Sequence, residues 1–266
     1  MRALACAVSI FTFVLILPSL YTDAQAACSR SLRVVFVDDY VPYQYRDGQG
    51  RPVGLDIELF REILRRAGCR HTLVNFPPKR AHRLMASGKV DIMGAASITP
   101  ERREYAMFSL AYREERIVLF NRSGDPLGAQ VHGLADALRQ GLRVAVGAGG
   151  WYGRELDQLR EALGAAGLLQ ENSSTLQRMK MLLAGRVRLV VADIYVGYHH
   201  ARALDKAAQV GHRPVPLNDD PVHMMLSRRS LTEGDLHLVN TAIEHFVVSA
   251  EYRRMIARFL GNGTSY

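Results

Sequence analysis

The sequence predicts an α/β fold built as two lobes, and two observations support this. Short apolar, β-branched runs alternate with amphipathic helical segments along most of the chain, which is the pattern of sheets connected by helices. In addition, segment 83–93 (RLMASGKVDIM) resembles segment 180–190 (KMLLAGRVRLV), and both have the pattern of a helix end, a glycine turn, a basic residue and a strand. This internal echo favours two lobes of similar build over one long sheet, although two such turns can also resemble each other by chance.

The first half of the chain begins with a predicted strand at 32–37, followed by a tyrosine-rich loop. An amphipathic helix is predicted at 55–67. Asp56 and Glu58 occupy the positive end of its dipole, and we interpret Asp56 as a structural charge of this kind. Further predicted elements are a strand at 71–76, a helix at 79–87 and strands at 90–95 and 117–121. The alternation of strand and helix predicts a parallel sheet.

The pattern restarts in the second half with a predicted strand at 142–146, a glycine-rich turn at 147–150 and a helix from Trp151 onward. The remaining predicted elements are a helix at 176–184, a strand at 187–192 and terminal helices at 231–248 and 251–260. Pro214, Pro216 and Pro221 mark an irregular crossing between the lobes. We therefore expect lobe 1 to comprise residues 27–116 and 222–266, and lobe 2 to comprise residues 117–221.

Residues 1–26 have the features of a cleaved signal peptide. Arg2 supplies the positive start, the apolar run that follows is too short to span a bilayer, and Pro18 breaks it. Segment 24–26 (AQA) offers the small-x-small pattern of a cleavage site. We therefore expect export. The alternatives are an uncleaved anchor and a lipoprotein modified at Cys28, but Gln25 stands where a lipobox has leucine.

Two cysteines, Cys28 and Cys69, remain after removal of the signal peptide, and an exported protein experiences an oxidising environment. Cys28 lies just before the first predicted strand, and Cys69 lies at the start of the second. Adjacent parallel strands would bring these ends together, so we predict a disulfide. Two buried or unpaired thiols are the alternative.

Composition and motifs exclude several classes of protein. The chain is 48% apolar and 23% charged, as globular proteins are, and its net charge of +8 comes from scattered arginines rather than a basic face with aromatic platforms. We therefore expect no nucleic-acid partner. No metal-ligand spacing occurs, and His199 and His200 are sequence neighbours that point in different directions on a helix. Segment 147–153 misses the dinucleotide-binding spacing, and no G-x-S-x-G elbow is present, so we expect no metal and no cofactor.

Candidate functional residues lie just beyond the predicted strands of the two similar segments, 83–93 and 180–190. Ligands of open α/β sheets bind at the carboxyl ends of the strands. The first of these strands is followed by Ser97 and Arg102, and the second by Asp193. The arginine fork matches a carboxylate, and an aspartate accepts from an ammonium group, so the two face to face would hold both ends of a zwitterion. The alternative for Asp193 is a cap on the following helix.

The segments around these residues resemble the bacterial extracellular solute-binding proteins of family 3, the amino-acid-binding type. The matching segments, in the family's order, are 40–43 (YVPY), 54–58 (GLDIE), 87–91 (SGKVD), 97–102 (SITPER), 108–109 with Tyr112, and 184–187 leading to Asp193. The resemblance covers nearly all of the chain after the signal peptide. SITPER is its most specific part, and the other segments are individually weak.

The resemblance implies the type 2 periplasmic binding fold, in which two α/β lobes are joined by two crossing strands and close over a ligand. It implies that Arg102, assisted by Ser97, holds the α-carboxylate of the ligand. It further implies that Asp193 meets the α-ammonium group, and that Tyr40 and Tyr43 line the side-chain pocket.

The second-lobe turn departs from the family pattern. Segment 147–151, which includes Gly150, is expected to offer backbone N–H groups to the carboxylate. However, Trp151 stands where many members carry a small hydroxyl residue, and Ala95 replaces a second hydroxyl. These departures favour a ligand with a ring or a bulky apolar part, with Trp151 or Tyr152 as a stacking wall. Lys79 and Arg80 fall near the expected mouth of the cleft and are interpreted as solvated.

The preferred interpretation is a monomeric, non-enzymatic binding protein of the periplasm. It would capture a small carboxylate-bearing solute, an amino acid or a related compound, and present it to an ABC permease or a sensor ectodomain in the inner membrane. The alternative is an enzyme, because cyclohexadienyl dehydratases resemble these proteins and act on prephenate-like acids. Glu171 would be its candidate general acid. A degenerate binder that serves only signalling or interaction is a third interpretation.

Overall fold

The structure is a computed structural model that describes residues 27–260. The predicted signal peptide, residues 1–26, lies outside the described residues. Among residues 27–260, no helix is long and apolar enough to cross a bilayer.

The secondary structure follows the predicted alternation. The elements up to residue 113 are β1 (Leu32–Phe36), β2 (Tyr45–Arg46), β3 (Pro52–Val53), α1 (Leu55–Arg66), β4 (His71–Asn75), α2 (Pro78–Ala86), β5 (Ile92–Ala96), α3 (Pro100–Tyr105) and β6 (Ala106–Arg113). The elements after it are β7 (Ile117–Arg122), α4 (Pro126–Ala129), α5 (Leu134–Arg139), β8 (Val144–Val146), α6 (Arg154–Ala165), β9 (Leu169–Glu171), α7 (Thr175–Leu183), β10 (Leu189–Asp193), α8 (Ile194–Ala203), β11 (Val210–His212), β12 (Val222–Ser227), α9 (Glu233–Val247) and α10 (Ala250–Leu260).

The first five-stranded sheet has the order β4-β1-β5-β12-β6. β1 is parallel to β4 and β5, but β12 runs antiparallel to both β5 and β6. The prediction of a parallel sheet is therefore wrong, and the sheet is mixed. The reason is that the chain re-enters the first sheet in the opposite direction. The start of β12 pairs with the carboxyl end of β5, with His223 opposite Ala96. Local sequence patterns carry no information about this reversal.

The second five-stranded sheet has the order β11-β7-β10-β8-β9. β8 is parallel to β9 and β10, whereas β7 is antiparallel to β10 and β11. The two chain crossings between the sheets touch each other, because Ile117 N–H donates to the carbonyl of Asn218 at 2.8 Å. The division of strands between the sheets is compatible with lobe boundaries at 116/117 and 221/222, which stay a prediction.

Helix α1 packs the core of the first sheet because its apolar residues lie on one face. Leu59, Phe60 and Ile63 are fully buried, and burial of each such side chain contributes about 1.5–3 kcal/mol. The ring of Phe60 lies so close to β5 that a Cβ at Gly94 would lie 2.2 Å from it. Glycine at this position therefore allows helix and sheet to pack together.

Asp56, at the start of α1, does more than complement the helix dipole, which is the structural role that the sequence predicts. The residue is fully buried, and its carboxylate accepts hydrogen bonds from Arg113 at 2.6 and 3.1 Å and from Gln44 at 2.9 Å. The prediction of a structural role holds, but the cause is different. Asp56 neutralises the buried guanidinium of Arg113, the last residue of β6.

The helix after the glycine-rich turn begins at Arg154, so the prediction of a helix from Trp151 onward is wrong. Gly153 precedes it with φ +113, in a region of backbone conformation that favours glycine. A Cβ there would lie 2.5 Å from the carbonyl oxygen of Leu217. Residues 151–153 therefore extend the turn instead of starting the helix.

A disulfide joins Cys28 and Cys69, whose Cα atoms are 4.9 Å apart. The pairing follows from the sheet: β1 and β4 are adjacent and parallel, with Leu32 opposite His71. The starts of the two strands therefore lie side by side, which is the arrangement that the sequence predicts.

Candidate ligand-binding cleft

A cavity of about 350 Å³ opens between the two sheets. Its walls are formed by residues that follow the carboxyl ends of β1, β5, β8 and β10. This is the position that open α/β sheets use for ligands. The cavity therefore lies where the sequence predicts the functional site.

The cavity brings together six of the seven residues predicted to bind a ligand: Tyr40, Ser97, Arg102, Gly150, Trp151 and Asp193. Tyr43 is the exception. Its side chain is fully buried, the guanidinium carbon of Arg113 lies 3.8 Å from its ring centroid, and its hydroxyl donates to Asp193 at 3.3 Å. The prediction that Tyr43 lines the pocket is wrong, since the ring lies behind the wall and supports Asp193 from there.

Arg102 presents to the cavity a guanidinium that has no carboxylate partner among residues 27–260. Its backbone N–H donates to the side chain of Thr99, the N-cap of α3, which fixes the start of the helix. Its guanidinium donates at 2.9 Å to the backbone carbonyl of Ser97, and within residues 27–260 no carboxylate lies at ion-pair distance from it. Burial lowers the pKa of Arg102 because desolvation disfavours its charged form. An anionic group in the cavity would relieve this cost.

Asp193 lies at the end of β10, where it caps the following helix and also lines the cavity. One carboxylate oxygen caps α8 by accepting from the N–H groups of Tyr195 and Val196 at 2.9 and 3.1 Å, and the residue also lines the cavity. Burial, and next the charge of Glu115, raise the pKa of Asp193 to about 7. A cation in the cavity would stabilise the ionised form.

Glu115 is a cavity residue that sequence reasoning missed. It is buried, accepts a hydrogen bond from the hydroxyl of Tyr40, and lies 3.9 Å from a guanidinium nitrogen of Arg113. Burial raises the pKa of Glu115. In the sequence, segment 113–116 (REER) resembles an ordinary charged loop. The available signal was its position, directly after β6 and at the start of the crossing between sheets.

The glycine-rich turn is filled by one of its own side chains. A Cβ at Gly147 would lie 1.9 Å from the hydroxyl of Tyr152, and one at Gly150 would lie 2.5 Å from the same ring. Tyr152 lines the cavity but is held against the turn, while the half-buried Trp151 remains the better placed aromatic wall. The turn therefore needs glycine because Tyr152 occupies the space of a side chain.

Arg178 and His82 are further cavity residues absent from the sequence-based prediction. Arg178 is buried and donates to Thr175 at 2.7 Å, but its Nε has no hydrogen-bond partner among the described residues. Burial lowers the pKa of Arg178, and burial together with the nearby Arg102 lowers the pKa of His82 to about 4. His82 is thus a neutral polar group of the wall at physiological pH.

The residues predicted near the mouth of the cleft lie outside the cavity wall. Lys79 and Glu171 form an ion pair of 3.4 Å, and Arg160 also pairs with Glu171. Arg80 stacks on the ring of Phe76 with its guanidinium carbon 5.0 Å from the centroid. Glu171, the candidate general acid, is therefore ion-paired with two cations and is not one of the residues that line the cavity.

Within the part of the chain that the structure describes, no three His, Cys, Asp or Glu side chains are arranged to hold a metal ion. The rings of His199 and His200 are inclined by 82° to each other. The chemistry that the cleft offers is recognition by charge, because guanidinium groups (Arg102, Arg178) and buried carboxylates (Glu115, Asp193) line one cavity.

A cleft of this build between two α/β sheets defines a two-lobed ligand-binding protein with the type 2 periplasmic binding fold. The family model of the bacterial extracellular solute-binding proteins, family 3, matches residues 32–262. The chain belongs to this family. The resemblance inferred from its motifs is confirmed.

Named relatives and solved structures agree with this assignment. The histidine-binding periplasmic protein of Salmonella typhimurium is 30% identical over 124 residues, which are 45% of this chain and 48% of that protein. The chain thus matches about half the length of this relative. An ancestral arginine-binding protein bound to arginine superposes with a TM-score of 0.73 at 22% identity, over 87% of this chain and 98% of that one.

A third comparison concerns the enzyme alternative. The ancestral amino acid-binding protein AncCDT-1, a precursor of cyclohexadienyl dehydratase, superposes with a TM-score of 0.67 at 20% identity, over 86% of this chain and 94% of that one. At this identity the likeness establishes the shared fold alone.

Proposed function

We propose that this protein is a periplasmic receptor for a small carboxylate-bearing solute, an amino acid or a related compound, and that it acts without catalysing a reaction. Arg102 would hold the carboxylate, assisted by Ser97 and by the backbone of the turn at Gly150. Asp193 would hold the ammonium group, and Tyr40 and Trp151 would flank the remainder of the ligand. The protein would act as a monomer that delivers its ligand to an ABC permease or a sensor ectodomain.

One observation carries this proposal: Arg102 presents a partly desolvated guanidinium to a cavity whose opposite wall holds a buried carboxylate. Burying a charge without a partner is costly, so such an arrangement persists where a ligand supplies the partner. Both groups line one cavity, and a zwitterion carries one charge for each of them. The named relative binds histidine, which is a ligand of this kind.

A thermal-shift screen of the purified mature protein tests the proposal. The screen covers amino acids, including histidine and arginine, together with small organic acids and aromatic acids. A ligand at a hundred times its Kd adds about 2.7 kcal/mol of stability, which is readily measured. We expect at least one hit, its loss in Arg102→Ala, and its retention in the control Arg103→Ala, whose side chain is exposed.

Unchanged affinity in a folded Arg102→Ala variant would refute the proposed site, and a folded protein with no hit at all would refute the proposed function. The enzyme alternative loses its named acid, because Glu171 is ion-paired outside the cavity wall. Incubation with prephenate or arogenate is the direct check. We expect no product.

A further inference from the structure

The cleft holds more buried carboxylate than its own cations neutralise. Asp56, Glu115 and Asp193 are all buried, and the charge of one buried cation, Arg113, acts on all three. Arg113 is committed to Asp56, to which it donates at 2.6 and 3.1 Å. Glu115 lies 3.9 Å from the same guanidinium, beyond hydrogen-bond distance. The single positive charge of Arg113 is thus shared among three carboxylates, and the negative charge of two of them is left without a cation.

The other charges at the cleft have partners of their own. Asp38 pairs with Arg46 at 3.2 Å. Asp39 accepts a hydrogen bond from Ser174 at 2.6 Å, and its negative charge acts on the buried Arg178. These groups therefore leave the balance at Glu115 and Asp193 unchanged.

Arg178, which also lines the cavity, is set against the charge of Asp39, and the proposed function assigns the other cavity arginine, Arg102, to the carboxylate of the ligand. The ammonium group of the ligand then neutralises Asp193. Glu115 is left with a hydroxyl donor from Tyr40 and no cation of its own. Burial raises the pKa of both carboxylates, as expected for acids that lack a full counter-charge.

The two carboxylates belong to one region of the wall. Tyr40 donates to Glu115, Tyr43 donates to Asp193, and the two tyrosine rings lie 5.1 Å apart, centroid to centroid. The charge of Glu115 is also the second largest cause of the raised pKa of Asp193. The tyrosine pair thus holds two acids beside each other, both lining the cavity.

We propose that Glu115 is a second cation-binding carboxylate of the cleft, and that the ligand carries a second cationic nitrogen group in addition to its ammonium group. This inference rests on the proposed function and names its substrate class: amino acids with a positively charged side chain, or diamino acids of similar size. A proton held between Glu115 and Asp193 would balance the charge differently, and that arrangement would leave a neutral side chain equally acceptable.

Isothermal titration calorimetry with matched ligands tests the inference. L-arginine and L-citrulline have nearly the same shape, but only arginine carries a positive side chain. L-lysine and L-norleucine form a second pair. We expect the wild-type protein to bind at least one cationic member about tenfold or more tightly than its neutral counterpart.

Glu115→Gln removes the charge and keeps an acceptor for Tyr40. We expect this variant to lose about ten- to hundredfold in affinity for the cationic ligand and less than about threefold for the neutral one. Glu114→Gln makes the same change one residue earlier, on an exposed side chain, and we expect it to alter neither affinity. Glu115→Asp, which retains the charge, should keep a preference for the cationic ligand.

Equal wild-type affinity for both members of each pair would overturn the inference, and so would Arg102-dependent binding of neutral or acidic solutes alone. An equal loss for both ligands in Glu115→Gln would make Glu115 a positioning residue and would also overturn it. If Glu115→Gln fails to fold, the ratio of wild-type affinities for the cationic and neutral members of each pair still tests the inference. These outcomes differ from failure of the proposed function, in which no solute binds.

Discussion

Asp39 reaches from the first sheet to the second and accepts a hydrogen bond of 2.6 Å from the hydroxyl of Ser174. Asp39 follows β1 and has φ +64, a conformation uncommon for residues other than glycine. Ser174 caps α7 on the opposite side of the cleft, and Nε2 of the buried His200 lies 3.4 Å from the same carboxylate. The contact therefore joins the two walls, and both residues line the cavity but differ from the groups assigned to the ligand.

We predict that this contact stabilises the ligand-bound form. Asp39→Ala and Ser174→Ala should each weaken binding of the solute found in the screen about three- to tenfold, mainly through faster dissociation. The two changes should be coupled by about 1 kcal/mol, because the second removes a bond already lost. Stopped-flow dissociation rates and a double-mutant cycle measure both quantities.

Asp205→Ala is the matched control for Asp39→Ala. Asp205 also has a positive φ of 55 but is exposed and does not line the cavity. We expect no change in the dissociation rate of the ligand. Strictly additive effects of Asp39→Ala and Ser174→Ala would contradict the role assigned to the contact.

Ligand affinity should depend on pH through Asp193. Its pKa of about 7 lies above the usual value for aspartate, so the carboxylate becomes ionised as the pH rises from about 6 to 8. Since only the ionised form attracts an ammonium group, affinity should increase over this range and level off above it. Titration calorimetry from pH 5.5 to 8.5 measures the profile, and a flat wild-type profile would argue against contact between Asp193 and the ligand.

The stability of the ligand-free protein should show the opposite trend for this group. An acid whose pKa is raised on folding stabilises the folded state at low pH, and this contribution is lost as the pH rises from about 4 to 7. Asp193→Asn removes the charge and keeps a good N-cap for α8. We expect the variant to gain stability relative to wild type at pH 8 and to lose that advantage near pH 4, as urea unfolding can measure.

The buried pair of Arg113 and Asp56 should dominate the stability of the first lobe. Arg113→Met leaves Asp56, Glu115 and Asp193 buried without their shared cation, and such a loss costs about 3–5 kcal/mol. The exposed pair of Arg116 and Asp219, whose side chains are about half accessible, is the control. Arg116→Met should cost less than about 1 kcal/mol in urea unfolding, and equal effects of the two changes would contradict this account.

Removal of the disulfide should lower the free energy of unfolding, because the cross-link restricts the conformational freedom of the unfolded chain. Cys28 and Cys69 are separated by 41 residues, and closing a loop of this order contributes about 2–4 kcal/mol. The double variant Cys28→Ser, Cys69→Ser should therefore unfold at lower urea concentration while retaining the affinity for its ligand, since neither residue lines the cavity. Two free thiols in the denatured, unreduced wild-type protein would show that the bond does not form.

Local sequence patterns located most of the secondary structure and the positions of the main candidate residues. Short segments are sufficient to predict several features without knowledge of the fold. These are the periodicity of α1, the glycine turns after α2 and α7, and the residues that follow β5 and β10. The strands β6 and β12 were missed. Their pairing partners are distant in sequence, with Met225 opposite Phe108, and buried positions do not alternate with exposed ones along either strand, so neither has the periodic signal of a half-buried strand.

Sequence by itself determined the family, the two-lobed α/β organisation, and the placement of Arg102, Ser97 and Asp193 after strand ends. Only the tertiary structure decided which neighbours these groups acquire. In the folded protein, Asp56 is buried against Arg113, Tyr43 lies behind the cavity wall, and Glu115 lines the cavity. The physical reason is that burial and charge balance depend on contacts between segments far apart in the chain, whereas motifs and periodicity record only the residues beside them.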